Sequence, residues 1–429
     1  MKPSDLAPSP SQGWLNRNVI GMSLTSLFSD TSHEMATSIL PLFIVFAVGG
    51  NPAIVGLVEG ASDGASSLVK SYSGYYSDKS GKRTPIMYLG YLLTGILIPA
   101  IGFAVSWLQV LVLRVGAWTG RGARGPPRDA LMVDSVPADS VGKAFGFERT
   151  FDTVGAVIGP AIALLLIPYL PYSQIFFVSF VPGVVCIAVV LGMVRDRPPG
   201  VKRTGRDRGG ESISFLSSVR ILPREFRLLL VSVGLFGIAN FSNVIFTLRA
   251  EQVLQPSLGI SAASQLAVLL YLLLNVIYAL GSFPAGYLAD RISKRNLLAV
   301  GYSVFAFACI ASIFESPGYP ILITIFVLAG LQTAIVDTVE KAFAAEMLGQ
   351  SQRGTGYGVL QTVNGIGDFV SSVMIGVLWT VLTPGIGFAT VASLALIATL
   401  VLLVVLRDTK PAINRAGGQA SLYALSVES

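Results

Sequence analysis

Residues 74–83 read GYYSDKSGKR and residues 286–295 read GYLADRISKR, with five of ten positions identical. The offset that carries Gly74 onto Gly286 also aligns GKAFGFERTF (142–151) with GTGYGVLQTV (354–363) without a gap. Gly155 and Gly367 keep that register. One offset serving both pairs argues for internal duplication rather than chance agreement among glycine-rich segments. Each decapeptide is a short basic interruption between long apolar runs, and its leading glycine suits a tight turn or close backbone approach.

The apolar runs set the class. Of 429 residues, 52% are hydrophobic and 13% charged, and mean hydropathy is +0.68. A soluble domain carries about 25% charged residues, so the chain is expected to be a polytopic membrane protein. Windows of about 20 apolar residues give twelve spans: 18–46, 53–76, 86–106, 108–134, 143–168, 172–194, 228–254, 262–288, 297–315, 320–347, 354–382 and 385–406. The polar stretch from Met1 to Asn16 and the long run after it indicate a retained first span, not a signal peptide. Cys186 and Cys309 lie inside apolar runs, and neither a disulfide nor a metal site is expected.

Connections alternate in charge. One set holds Arg17, Lys79, Lys82, Arg83, Lys143, the segment Arg195 to Arg227, Arg291, Lys294, Arg295, Arg353, Arg407 and Lys410. The opposite set, such as AVGGNPAIVG and LTPGIGFAT, has almost none. Positive charge stays on the cytoplasmic side, so both termini are expected in the cytoplasm and the protein in the cytoplasmic (inner) membrane. The net charge of +6 is thus a topology signal, and no nucleic-acid partner is implied. The expected division is a cytoplasmic segment (1–17), a six-helix bundle (18–194), a cytoplasmic linker (195–227), a second bundle (228–406) and a cytoplasmic tail (407–429). The fold class is an all-α membrane protein with two pseudo-symmetric six-helix bundles. Duplicated halves of this kind mark transporters whose halves rock about a midplane site.

Spans 3, 6, 9 and 12 lack ionisable residues between their ends and are suited to face lipid. Charges gather on spans 1, 2, 4, 5 and 10, on shared helical faces. Span 1 has Asp30, His33 and Glu34; span 2 has Glu59, Asp63 and Lys70; span 4 has Arg114, Arg121, Arg124 and Arg128; span 5 has Glu148 and Asp152; span 10 has Asp337, Glu340 and Lys341. Intramembrane charges face a bundle interior or a wet cavity. In the N-terminal half six acids (Asp30, Glu34, Glu59, Asp63, Glu148, Asp152) stand against six bases (Lys70, Arg114, Arg121, Arg124, Arg128, Arg149), so mutual neutralisation and function both remain open for each residue.

These residues carry a resemblance. GYYSDKSGKR is similar to the loop signature G-x-x-x-D-[RK]-x-G-[RK]-[RK] of the major facilitator superfamily. Gly74, Asp78, Lys79, Gly81, Lys82 and Arg83 hold its positions, and Gly286, Asp290, Arg291, Lys294 and Arg295 form the degenerate second copy. Arg114, followed by VGAWTG, resembles the span-4 arginine motif. Gly146, Gly155, Gly159 and Pro160 match the span-5 pattern G-x8-G-x3-G-P of the superfamily's drug–proton antiporters. Ala163 and Leu164 depart from the usual end of that pattern, and RGARGPPRDAL is more basic than usual. The resemblance implies a cytoplasmic gate at Gly74, Asp78, Lys79, Gly81, Lys82, Arg83, Asp134, Asp290 and Arg291, and helix packing through the span-5 glycines.

The function expected is secondary active transport, with proton-coupled export of a small organic solute, anionic or amphiphilic, by alternating access. Proton-coupling candidates are Asp30, His33, Glu34, Glu59 and Asp63. Substrate-binding candidates are Arg114, Trp118, Arg121, Arg124, Arg128, Asp337, Glu340 and Lys341, because arginine grips carboxylates and phosphates with a planar fork. The same arginines could instead pair with Asp134, Glu148 and Asp152. Proton-coupled import of an organic acid or siderophore-like anion uses the same residues. No HExxH, GxSxG or Cys/His pair is present, which disfavours a membrane-embedded enzyme, and no output domain supports a sensor. Partners are a small-molecule substrate, protons and the lipid bilayer; no cofactor or metal is expected, and the protein is expected to be monomeric.

Overall fold

The structure, a computed structural model, describes residues 13–80, 83–137, 140–196, 222–314, 318–348 and 353–406, without the side chains of Ser71, Tyr75, Asp78, Lys79, Ser80, Asp290, Arg353 and Thr355. Gly81, Lys82, most of the expected linker, the tail and most of the N-terminal segment lie outside these residues, as do the side chains of Asp78, Lys79 and Asp290. Apolar length makes the helices, and glycine, proline and small polar residues end them. Helix α1 (Arg17–Leu42) starts where the Asn16 side chain accepts the backbone N–H groups of Asn18 and Val19, at 3.0 and 3.1 Å. It runs through a π-helical turn to Ala47 and stops at Gly49, whose φ of 70° suits glycine. Helices α2 (Pro52–Ser80), α3 (Thr84–Ala100), α4 (Trp107–Ser135) and α5 (Val141–Leu166) complete the first five spans.

Two spans differ from their expected continuity. The sixth is split at Ser179 into α6 (Tyr172–Val178) and α7 (Phe180–Met193). The helical bonds from Ser179 N–H to Ile175 O (3.2 Å) and from Gly183 N–H to Ser179 O (3.3 Å) carry across it, and the Ser179 carbonyl also accepts the Ser32 hydroxyl of α1 at 2.8 Å. The seventh is broken between α8 (Arg224–Gly237) and α9 (Val244–Arg291). In the gap, Asn240 and Ser242 use backbone groups to bond the Ser371 and Ser372 hydroxyls, at 2.6 and 3.1 Å. Helix α9 contains the rest of span 7 and all of span 8, joined at Gly259 with φ 75°. Helices α10 (Lys294–Ala311), α11 (Tyr319–Met347), α12 (Arg353–Val381) and α13 (Pro384–Val405) are spans 9 to 12.

Among the described residues, seven helical stretches are long and apolar enough to cross a membrane on composition alone; α1, α2 and α4 are not among them. Of these, α1 is buried along most of its length, and all three bury ionisable groups, such as His33, Glu59 and Arg114. Leu89 and Ile96 of span 3, Val181 and Leu191 of span 6, Phe307 of span 9 and Leu400 of span 12 are exposed, as lipid-facing positions should be. The C-terminal half packs around aromatic rings: Phe236 stacks on Tyr302 at 3.7 Å, and Phe241, Phe246, Phe305 and Phe388 close round them.

The halves meet along spans 2 and 11 and along spans 5 and 8. A Cβ at Gly60 would sit 2.8 Å from the Phe369 carbonyl oxygen, and Gly56 approaches the Ser372 carbonyl more closely still. Here glycine is what allows two backbones to touch. Hydrogen bonds between the halves gather toward the loops poor in Lys and Arg: Ala53 N–H to Thr380 Oγ1 (2.9 Å), Tyr172 to Ser264 (2.8 Å), Ser242 to Glu59 (3.0 Å) and Tyr271 to Glu34 (3.0 Å). Nearer the basic loops, Arg149, Asp337 and Lys341 are exposed, whereas His33, Arg114 and Glu59 at mid-depth are buried. A crevice therefore opens on the basic face and is closed on the other.

Candidate functional site

Span 5 is pressed onto span 1 by two of its glycines. A Cβ at Gly159 would lie 2.7 Å from both the Met35 nitrogen and the Thr31 carbonyl oxygen, and Gly155 abuts the Leu27 carbonyl and Asp30 Cβ. This contact brings the Asp30 and Asp152 carboxyls into hydrogen-bonding reach of each other. Gly146, the third glycine of the pattern, has nothing within 4 Å of an added Cβ, and Pro160 lies within α5.

His33 lies between Asp30 and Glu34, with Nδ1 3.3 Å from Asp30 Oδ1 and Nε2 3.2 Å from Glu34 Oε1. Nδ1 is also 2.9 Å from the Ser29 carbonyl oxygen, an acceptor only, so Nδ1 carries hydrogen and donates it. Nε2 faces the Glu34 carboxylate without a hydrogen bond among the described residues. Glu34 in turn accepts from Tyr271 of the other half. Asp152, Asp30, His33, Glu34 and Tyr271 thus form a chain of protonatable groups from span 5 across span 1 to span 8.

The four span-4 arginines do not share one surroundings. Arg114 is fully buried, donates to Glu59 and to Thr37 at 3.0 Å each, and lies 3.3 Å from the Trp118 ring centre. Arg128 pairs with Glu148 at 2.8 Å and donates to Ser26. Arg124 turns into the N-terminal bundle and stacks on Tyr91 of span 3 at 4.2 Å. Arg121 sits 5.3 Å from the Trp118 ring and, among the described residues, has no carboxylate within 4 Å. Prolines 126 and 127 within α4 and the differing neighbours of each turn account for the divergence. Asp63 accepts from Trp118 Nε1 at 2.9 Å.

Lys70 and Lys341 also lack a carboxylate within 4 Å among the described residues; with Arg121 they are carried by spans 2, 4 and 10. Asp337 accepts from Tyr278 at 3.1 Å, and Tyr278 also bonds Arg149 of the first half, which pairs with Asp152 at 2.8 Å. Glu340 accepts from Asn364 at 2.5 Å.

On the basic face Arg83 pairs with Asp134, and the Asp196 carboxylate accepts the Arg83 and Thr84 backbone N–H groups at 3.3 and 3.0 Å. Lys294 pairs with Glu346 at 2.7 Å; Glu346 stands at the repeat offset from Asp134, whereas its base is shifted by one position, Lys294 corresponding to Lys82 and Arg83 to Arg295. Gly74 packs on Pro126, and Arg291 stacks on Tyr287 at 4.2 Å. Sequence reading missed Glu346, Asp368, Asn240, Ser242, Tyr271 and Tyr278. Asp368 accepts from Asn240 at 3.2 Å and was findable as a lone acid in span 11; Tyr271 falls at the repeat offset from Glu59.

A profile for the Major Facilitator Superfamily matches residues 22–277 and again 231–426. The chain is 32% identical to an MFS-type transporter, MJ1317, of Methanocaldococcus jannaschii over 391 residues, 91% of this chain and 95% of that one. It is 25% identical to the multidrug resistance protein MdtG of Escherichia fergusonii over 347 residues, covering 78% and 82% of the two chains. It is 24% identical to the cis,cis-muconate transport protein of Acinetobacter baylyi over 328 residues, covering 74% and 76%. Among solved structures the fold matches nucleoside transporter NupG with TM-score 0.77 at 10% identity, over 91% and 99% of the chains. It also matches a D-xylose–proton symporter with TM-score 0.69 at 13% identity, over 90% and 96%. A twelve-span duplicated helical fold, a charged crevice and these matches lead to one conclusion: the chain belongs to the Major Facilitator Superfamily and is an integral membrane transporter, not an enzyme.

Proposed function

We propose that the protein exports a small organic anion in exchange for protons. The observation that carries this reading is the trio Lys70, Arg121 and Lys341, cations from both halves without a carboxylate partner among the described residues, facing one crevice. A ligand carboxylate or phosphate seated among them would supply the missing charge and draw spans 2, 4 and 10 together. The two carboxyls of Asp30 and Asp152 cannot both hold negative charge in contact without repulsion, and a proton held between them removes it. His33 Nε2 and Glu34 extend the path for that proton toward Tyr271, which joins span 1 to the second half. Proton occupancy and closure of the crevice thereby act on the same helices. In this scheme the loops rich in Lys and Arg, and both termini, lie in the cytoplasm, the crevice is open inward, and the transporter works as a monomer in the cytoplasmic membrane. Arg83–Asp134 and Lys294–Glu346 belong to the inner gate.

The same site supports import of an organic acid; likeness to a muconate transport protein bears on the acid, not on the direction. Direction and charge preference are tested together in energised inverted vesicles, with radiolabelled cis,cis-muconate as anionic probe and ethidium as cationic probe. Accumulation of the anion with dissipation of the proton gradient, lost in Asp30→Asn and in Arg121→Gln, is the expected result. Movement of ethidium without muconate, unaffected by Arg121→Gln, sinks the anion reading; muconate uptake driven only from the opposite side turns export into import.

A further inference from the structure

Span 7 buries an acid that no neighbour compensates. Glu251 of α9 is 1% exposed, its Oε1 has no hydrogen-bond partner, and among the described residues it enters no ion pair. On its own helical face Leu248 and Leu254 are buried and apolar, and the Thr247 hydroxyl, one turn earlier, is also buried without a partner. Arg249 projects from a different face and donates to the Ser312 and Phe314 carbonyls and to Gln252. Among the described residues, the titratable group within electrostatic range from a neighbouring helix is Tyr172, at the start of span 6, whose hydroxyl is bonded to Ser264. The repeat offset places Ile39 of span 1 at the corresponding position, fully buried. The duplicated fold therefore accepts an apolar side chain at this place, and packing does not call for a carboxyl. An ionised carboxylate with neither cation nor donor beside it is strongly disfavoured, and a bound proton removes the charge.

We infer that Glu251 is a proton-binding site separate from the Asp30–Asp152 pair, occupied while the face poor in Lys and Arg is closed and emptied when that face opens to water. The chain on either side of it is held to the first half in the closed state, by Ser242 on Glu59 and by Tyr172 on Ser264. Separation of the halves on this face breaks those contacts and admits water to the carboxyl, which then ionises. Closure takes up a proton and opening releases one, so closure becomes less favourable as pH rises above the ordinary carboxylate range, by up to about tenfold per pH unit. The inference rests on the closed face described above, not on the proposed anion or the direction of its transport.

The experiment uses the purified full chain in detergent without substrate, so its outcome is independent of the proposed anion exchange. A cysteine at the buried Ser264 reports opening through its rate with a maleimide, taken relative to a cysteine at the exposed Ser261 so that thiol ionisation cancels. From about pH 6 to about pH 8 the relative rate should rise about tenfold. Glu251→Gln, which mimics the protonated acid, and Glu251→Met should keep it low at both ends, and Asp30→Asn should leave the rise intact. The infrared band of protonated carboxyls at about pH 7, where exposed carboxyls are ionised, should be weaker in Glu251→Gln than in wild type. A relative rate in wild type that does not change with pH overturns the proposal. So does a rise kept in Glu251→Gln or lost in Asp30→Asn, which moves the titration to the crevice. An infrared band equal in wild type and Glu251→Gln shows Glu251 ionised in the closed face and overturns it as well.

Discussion

Positions related by the repeat offset have the same place in the duplicated fold but different chemistry. Asp30 corresponds to Ser242, Glu59 to Tyr271, Asp63 to Asn275, Arg114 to Phe326, Arg121 to Thr333 and Asp152 to Asn364. The first half holds ionisable groups at these places, and the second holds neutral ones. The neutral groups are still engaged, because Tyr271 and Ser242 donate to Glu34 and Glu59 across the interface. At these positions charge is concentrated in one half, and the other presents neutral groups, two of them hydroxyls that grip it. Phe326 at the place of Arg114 joins an aromatic core that needs no counter-ion.

The difference is sharpest at Glu59. Glu59→Gln leaves Arg114 buried with only Thr37 as a charge-independent hydrogen-bond partner, and its Nε and Nη1 are already without one. We expect destabilisation of about 3–5 kcal/mol, measured by thermal unfolding in detergent. The double change Glu59→Gln with Arg114→Met should recover much of it. At the corresponding Tyr271 the change to phenylalanine removes one hydroxyl and should cost far less. Equal losses at the two places would break the contrast between halves.

Gly159 ranks next. Its counterpart is Ser371, so the second half tolerates a side chain where the first does not. In Gly159→Ala the new methyl meets the Met35 nitrogen and Thr31 carbonyl of span 1. Separation of spans 1 and 5 should cost about 1–3 kcal/mol and part Asp30 from Asp152, so that proton-linked transport falls further than ligand binding does. Retention of full proton coupling would show that the carboxyl contact is dispensable.

Tyr271→Phe tests the grip itself. A hydrogen bond to a charged group is worth about 1.5 kcal/mol or more, which corresponds to roughly tenfold in the population opened on the face poor in basic residues. A cysteine placed at Ser264, on that closed side, should react about tenfold faster with an impermeant thiol reagent; Cys186 and Cys309 are buried and give little background. An unchanged rate would mean that the closed side is held by its other contacts, Ser242 with Glu59, Ala53 with Thr380 and the glycines of spans 2 and 11.

The twelve spans, the duplication and the confinement of charge to the interior were legible because apolar length and period survive without tertiary context. Pairings were not. Arg114, Arg121, Arg124 and Arg128 recur at helical spacing, but whether each meets Glu59, the crevice, Tyr91 or Glu148 depends on three neighbouring helices. The contact at Ser179 was hidden because Ser32 stands far away in sequence on another span. The gap between α8 and α9 likewise depends on Ser371 and Ser372. Tyr271 and Ser242 carry no charge and left no local mark, although the repeat offset would have matched them to Glu59 and Asp30.

The smallest effect belongs to Gly146. The sequence pattern groups it with Gly155 and Gly159, but the contacts divide the three. Gly155 and Gly159 touch span 1, whereas nothing lies within 4 Å of a Cβ at Gly146. Alanine is favoured over glycine within a helix by about 0.5–1 kcal/mol, and no clash opposes that gain here. Gly146→Ala should therefore unfold at the same temperature or slightly higher and transport at the wild-type rate. A loss of transport with stability intact would mean that span 5 meets another helix at Gly146 when the crevice closes on the basic face, a contact made only in the opposite conformation.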